Sequence, residues 1–194
     1  MIFKKLDKIY LVAEIGWNFL GNISLAKKMI FSAKKNGADA VKFQIWDPKY
    51  LKKGTWDNDG RKKIYEKAFL DLKKYKDIKK YCKKIKIDCF ASAFTLRGVK
   101  LLKESGDKII KIPSHEAYNT KLINFSLKKF SLVFISVGAL NFQELKKITK
   151  YRNIKRLIPL HCVSSYPLSQ ENCNFLKFDY LKENFKKVGY SGHF

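Results

Sequence analysis

The sequence is short of acid. It sets 17 Asp and Glu against 41 Lys and Arg, a formal charge of +24 over 194 residues. Such an excess can mark a binder of nucleic acid or of anionic membrane. Here, however, the lysines come in pairs along the whole chain, as in "AKKMIFSAKKNG" (26–37) and "DLKKYKDIKKYCKKIK" (71–86). A nucleic-acid arm would be a dense block, so the spread pairs solvate helix faces and at most draw in anionic substrates. Long apolar runs are also missing: no stretch of 18 apolar residues occurs, which excludes a membrane-spanning helix. The four cysteines, Cys82, Cys89, Cys162 and Cys173, form no C-x-x-C pair, which argues against a zinc knuckle. With no secretory signal at the start, they read as reduced thiols of a cytoplasmic protein. No linker or low-complexity segment divides the chain, so its length is that of one domain or most of one.

What is present is an alternation. Continuous apolar, β-branched runs lie at 8–15, 38–44, 87–94, 108–114, 131–138, the first part of 156–167, and 187–191. Continuous runs, unlike in/out alternation, suit parallel strands covered on both faces. Between them lie helical stretches. Leu25, Met29 and Ala33 share a stripe that Gly37 terminates; Ile64, Ala68, Leu72, Ile78 and Cys82 mark one face of 61–84; the stretch 96–106 ends on Gly106. Two further helices open on Asn119 and Asn141, good N-caps. Strict β/α order predicts a parallel α/β fold. A doubly wound sheet would carry a glycine-rich phosphate loop after its first strand, and "EIGWNFLGN" (14–22) has no G-x-G-x-x-G. A (β/α)8 TIM barrel instead sets polar residues at the C-terminal ends of its strands. This chain does so with Glu14, Lys42, Gln44, Ser92, Lys111, Ser114, Glu116, Ser136, His161, Ser164, Ser191 and His193. The prediction is a TIM-type barrel that is incomplete, with seven β/α units and no eighth strand, its polar strand ends gathered at one mouth.

Those residue types suggest chemistry. Lys42 and Lys111 with the hydroxyls of Ser92 and Ser114 would cradle a phosphate or carboxylate. Glu14 and Glu116 are candidates for proton transfer or for holding sugar hydroxyls. His193 could give an imidazole nitrogen to a divalent metal. His161, inside "LIPLHC", reads equally as a hydrogen-bonded core histidine, and His115 as a solvent-facing one.

The ordered motifs "AEIGWN" (13–18), "GADAVKFQ" (37–44), "KIPSHEAYN" (111–119), "LHCVSSYP" (160–167) and "GYSGH" (189–193) closely resemble the N-acetylneuraminate (sialic acid) synthase family, with its pseudaminic and legionaminic acid synthases. The resemblance spans essentially the whole chain. It implies a barrel that condenses phosphoenolpyruvate with an N-acetylated amino sugar, such as N-acetylmannosamine, and releases phosphate. By motif, Lys42, Ser92 (usually threonine), Lys111, Ser114 and Ser191 resemble the phosphoenolpyruvate contacts. Glu14, Gln44 and Tyr166 resemble the sugar contacts, and Glu116 the catalytic-site carboxylate. Ser164 stands where many members have asparagine. His193 resembles one of two histidines that hold manganese or magnesium.

The chain also departs from the family pattern. Phe19 replaces a histidine in "NFLG", His115 a glycine in "KIPSHE", and Val137 a threonine in "SVGA"; Gly192 replaces a common aspartate. The family's eighth strand, with the second metal histidine, and the antifreeze-like domain that reaches into the partner's site in the family homodimer have no counterpart in these 194 residues. The expectation is therefore a truncated synthase domain, weakly active or inactive alone. The alternatives are a non-catalytic paralogue that keeps a sugar- or phosphate-binding cleft, and another phosphoenolpyruvate-dependent barrel synthase.

Overall fold

The computed structural model describes residues 6–50 and 53–192. The chain divides into two compact units, Met1–Asp107 and Lys108–Phe194.

Among the described residues of the first unit, strands β1 (Val12–Gly16), β2 (Ala40–Ile45) and β3 (Asp88–Ala93) alternate with helices α1 (Ile23–Lys35), α2 (Arg61–Lys67), α3 (Leu72–Lys84) and α4 (Leu96–Glu104). β1 pairs parallel with β2, and β2 with β3. Because strand side chains alternate in direction, β2 has two faces of different character. Val41, Phe43 and Ile45 join Phe19, Ala26, Ile30, Tyr75 and Ile78 in the core. Lys42 and Gln44 point the other way. The register sets Glu14 beside Lys42 and Gln44 beside Ser92, so four polar residues share one face.

The second unit repeats the plan with β4 (Ile109–Ile112), α5 (Thr120–Lys129), β5 (Leu132–Ser136), α6 (Phe142–Ile148), β6 (Leu157–His161), α7 (Phe175–Asn184) and β7 (Gly189–Tyr190). Each strand is parallel to the next. Every residue of β5 is buried, as its unbroken apolar run requires. Asn119 and Asn141 cap their helices as expected, accepting from the N–H of Leu122 and Glu144 at 3.1 and 2.9 Å. Glu144 returns a bond to the Asn141 N–H at 2.9 Å, closing a capping box.

Three expectations shift. The first strand was expected from residue 8 but begins at Val12. The Asp39 carboxylate takes the Leu11 N–H at 2.9 Å before the ladder starts, and Ile9 is left exposed. On α1 the buried stripe is Ala26 and Ile30, with Leu25 outside; the face is turned by one residue, about 100°. The stretch 61–84 is two helices. It breaks because Asp71 caps a new start, accepting from Lys74 N–H at 2.8 Å. The end of α2 lies against the turn that follows β1. A side chain on Gly21, where φ is +78°, would come within 2.0 Å of the Lys67 carbonyl oxygen, so only glycine fits.

Candidate functional site

Each unit gathers polar groups at the C-terminal ends of its strands. In the first, Lys42 is only 4% exposed. A buried ammonium is costly unless paired and hydrogen-bonded. Here its Nζ forms an ion pair with Glu14 Oε2 and donates to Ser92 Oγ at 3.0 Å. These contacts engage two of its three N–H donors. Gln44 belongs to the same group: a β-carbon placed on Gly16 would lie 3.2 Å from Glu14 Oε1 and 3.6 Å from Gln44 Nε2. The structure therefore brings together Glu14, Lys42, Gln44 and Ser92, as the sequence suggested. The outward side of this group is Glu14, which is exposed.

In the second unit, Lys111 is half-buried and donates to Ser191 Oγ at 3.3 Å. Ser114 Oγ accepts the Gly138 N–H at 3.3 Å and lies 3.2 Å from Cys162 Sγ. Gly138 is wedged in place: a β-carbon there would approach Cys162 Sγ to 2.7 Å, its carbonyl oxygen to 2.9 Å and Ser164 Oγ to 3.0 Å. Ser114 and Ser164 thus flank one glycine. The turn that carries Gly138 is held from α7, where Lys177 donates to the carbonyls of Val137 and Leu140 at 3.2 and 2.8 Å. Burial lowers the pKa of Lys177.

Glu116 closes the 3₁₀ turn Ser114–Glu116 and accepts from Asn119 Nδ2 at 2.8 Å, so it is tied to the residue that caps α5. Tyr166 is 70% exposed, on the loop that follows β6. His193 lies outside the described residues. His161 is a core histidine: it has no exposed surface, and its ring lies 5.8–5.9 Å from those of Phe175, Phe178 and Tyr190. Its Nε2 is 2.8 Å from the Cys173 carbonyl, which can only accept, so Nε2 carries the proton. Burial holds its pKa below the ordinary value. Of the departures from the family pattern, Phe19 packs against Phe43, with ring centroids 5.8 Å apart, on the opposite side of β2 from Lys42. Val137 is fully buried.

Among the described residues, no group of three or more His, Cys, Asp or Glu side chains could hold a metal ion. The expected metal ligand, His193, lies outside the described residues. No helix among them is long and apolar enough to cross a membrane. All four cysteines are free thiols.

Sequence reasoning named Ser136 only as a strand-end residue, and left Gly138 and Cys162 out of the site. Ser136 stands at the end of β5, on the same face of the sheet as Lys111. It is buried, and its hydroxyl has no hydrogen-bond partner among the described residues. The signal for it was its strand-end position. Nothing local marks the thiol of Cys162 as a neighbour of Ser114, 48 residues away.

The sequence pattern of the NeuB family matches residues 29–194. The N,N'-diacetyllegionaminic acid synthase of Campylobacter jejuni is 34% identical over 208 aligned residues, covering 97% of this chain and 61% of that protein. The N-acetylneuraminate-9-phosphate synthase of Drosophila melanogaster is 32% identical, covering 98% of this chain and 55% of that protein. The chain thus spans little more than half the length of these relatives. Among solved structures, the N-acetylneuraminic acid synthetase of Leptospira borgpetersenii superposes with a TM-score of 0.84 at 28% identity, over 95% of this chain and 65% of that one. The expected fold class holds: an α/β chain of the TIM-barrel type, with seven parallel strands among the described residues. A family pattern that runs from α1 to the last residue, over strands that carry the lysines and serines in these positions, makes this chain a member of the NeuB family.

Proposed function

We propose that this chain serves a nonulosonic acid synthase reaction, in which phosphoenolpyruvate condenses with an N-acetylated amino sugar and phosphate is released. The observation that carries the reading is Lys42, a buried ammonium held within β2 by Glu14 and Ser92. A cation kept buried at such a cost in desolvation is suited to a small anion. In the first unit, Lys42 and Ser92 serve the anion of phosphoenolpyruvate, and Glu14 and Gln44 the sugar. In the second unit, Lys111, Ser114 and Ser191 are of the same anion-binding kind, and Ser164 and Tyr166 of the sugar-binding kind.

C3 of phosphoenolpyruvate attacks the aldehyde carbon of the open-chain sugar, and positive charge develops at C2. Water adds at C2, and the tetrahedral intermediate expels phosphate. Glu116 is the carboxylate to which this reading gives the proton transfer in these steps. Holding both substrates in order supplies the orientation term. Four free thiols suit a reducing, cytoplasmic setting.

The test is calorimetric titration with phosphoenolpyruvate, followed by phosphate release in the presence of N-acetylmannosamine and manganese. Saturable phosphoenolpyruvate binding that Lys42→Met weakens is the expected result. Binding with turnover marks a synthase; binding without turnover marks a non-catalytic relative. A chain that does not bind phosphoenolpyruvate at all overturns the proposal.

A further inference from the structure

Beside Glu14 and Gln44 the first unit carries a cluster of aromatic rings that the roles above leave unused. All three tryptophans of the chain belong to it. Trp17 follows β1, Trp46 follows β2 and Phe94 follows β3, while Trp56 and Tyr65 come from the 3₁₀ turn Thr55–Asp57 and from α2. Trp46 is the hub. Its ring centroid lies 4.9 Å from Tyr65, 5.2 Å from Phe94 and 6.5 Å from Trp17. Tyr65 in turn lies 5.4 Å from Trp17 and 5.6 Å from Trp56.

Ordinary core packing leaves one fact unexplained. Trp46 is 6% exposed, yet its indole N–H has no acceptor among the described residues. A buried tryptophan donor normally finds a partner, because an unmade bond there is costly. The donor sits two residues beyond Gln44, and Trp17 adjoins Gly16, whose β-carbon position is 3.2 Å from the Glu14 carboxylate. Carboxylate and amide beside half-buried rings match the two surfaces of a sugar, its hydroxyls and its C–H faces. An N-acyl group adds a methyl for the rings and a carbonyl oxygen for an N–H.

We propose that this cluster is the subsite for the acyl-bearing edge of the amino sugar, with the Trp46 indole N–H as hydrogen-bond donor to the acyl carbonyl. The proposal rests on the reading of the site as a synthase site. Tyr65, the ring nearest Trp46, must turn aside to admit the ligand.

Because every tryptophan lies in the cluster, tryptophan emission, excited selectively over tyrosine, reports on it alone. The experiment titrates the chain, with phosphoenolpyruvate present and absent, with N-acetylmannosamine, a 2,4-diacetamido hexose, and mannosamine, which has a free amine. At least one acylated sugar should change the emission saturably and bind at least tenfold tighter than mannosamine. Trp46→Phe, which keeps a ring but removes the donor, should weaken that sugar about tenfold and leave phosphoenolpyruvate affinity unchanged. Trp17→Leu, at a half-buried position, provides a second test should the first variant fold poorly. Equal affinity for acylated and free sugars, no response to any sugar, or wild-type sugar affinity in both folded variants overturns the subsite. Loss of phosphoenolpyruvate binding alone, with the sugar response intact, sinks the synthase reading and leaves the subsite standing.

Discussion

The two strand-end lysines are treated differently. Lys42 is buried, with a carboxylate from the neighbouring strand and a hydroxyl from the next. Lys111 is half-buried, and its amine meets the Ser191 hydroxyl. The first unit neutralises its cation with an acid in direct register. The second surrounds its strand ends with hydroxyls, a thiol and the Gly138 backbone N–H. Burial accounts for the first arrangement: a fully buried ammonium needs a counter-charge. An anion entering the first cluster has to compete with Glu14 for Lys42, so Glu14 sets how much of that charge the ligand feels.

The largest effect should come from removing the buried charge. Lys42→Met is expected to weaken phosphoenolpyruvate about 100-fold, or about 2.7 kcal/mol, measured by calorimetry. Lys111→Met should cost less, because Lys111 is the less buried of the two. An equal or larger loss at Lys111 would erase the distinction between the two lysines. Next comes the wedge. Gly138→Ala pushes a methyl into the Cys162 carbonyl and thiol, and should destabilise the chain by about 2 kcal/mol. The melting temperature should fall by about 4–8 °C; an unchanged melt would mean that the turn shifts freely.

The smallest effect is acid sensitivity. All three histidines lie in residues 108–194. Burial keeps the folded-state pKa of His161 below its ordinary value, so the unfolded chain takes up the proton first. The stabilisation is therefore complete above about pH 6.5 and is lost as pH falls from there towards the folded-state pKa. Amide protection factors, which correct for the intrinsic pH dependence of exchange, should fall between pH 7 and pH 5.5 around β6 and α7 before they do around β2. His161→Gln should flatten that response. Protection that falls first around β2 would place the acid-sensitive point in the other unit.

Much of the plan was legible along the chain. The apolar runs of β2, β3 and β5 marked buried parallel strands because each is too continuous for a half-exposed one. Asn119 and Asn141 marked helix starts because a cap is a bond over three residues. Boundaries failed where a distant partner intervened: Asp39 drew off the Leu11 N–H across 28 residues. The helical face of α1 was misread by one position because Leu25 and Ala26 are both apolar, and only packing chose Ala26. At the site, Lys42 and Ser92 could be named from strand ends. That they touch, across 50 residues, is a matter of register. The role of Trp46 was invisible, because one tryptophan in a sequence says nothing of four rings gathered from other elements.

The sequence by itself determined the alternation of strand and helix, the caps, and the set of polar residues at strand ends, since these depend on neighbours within a turn or two of the chain. Tertiary structure alone decided that Lys42 would face a carboxylate, that Gly138 would be wedged against Cys162 and Ser164, and that an indole N–H would be buried without an acceptor among the described residues. Strand register and side-chain packing join residues that are far apart in the chain, and no local pattern encodes which of them meet.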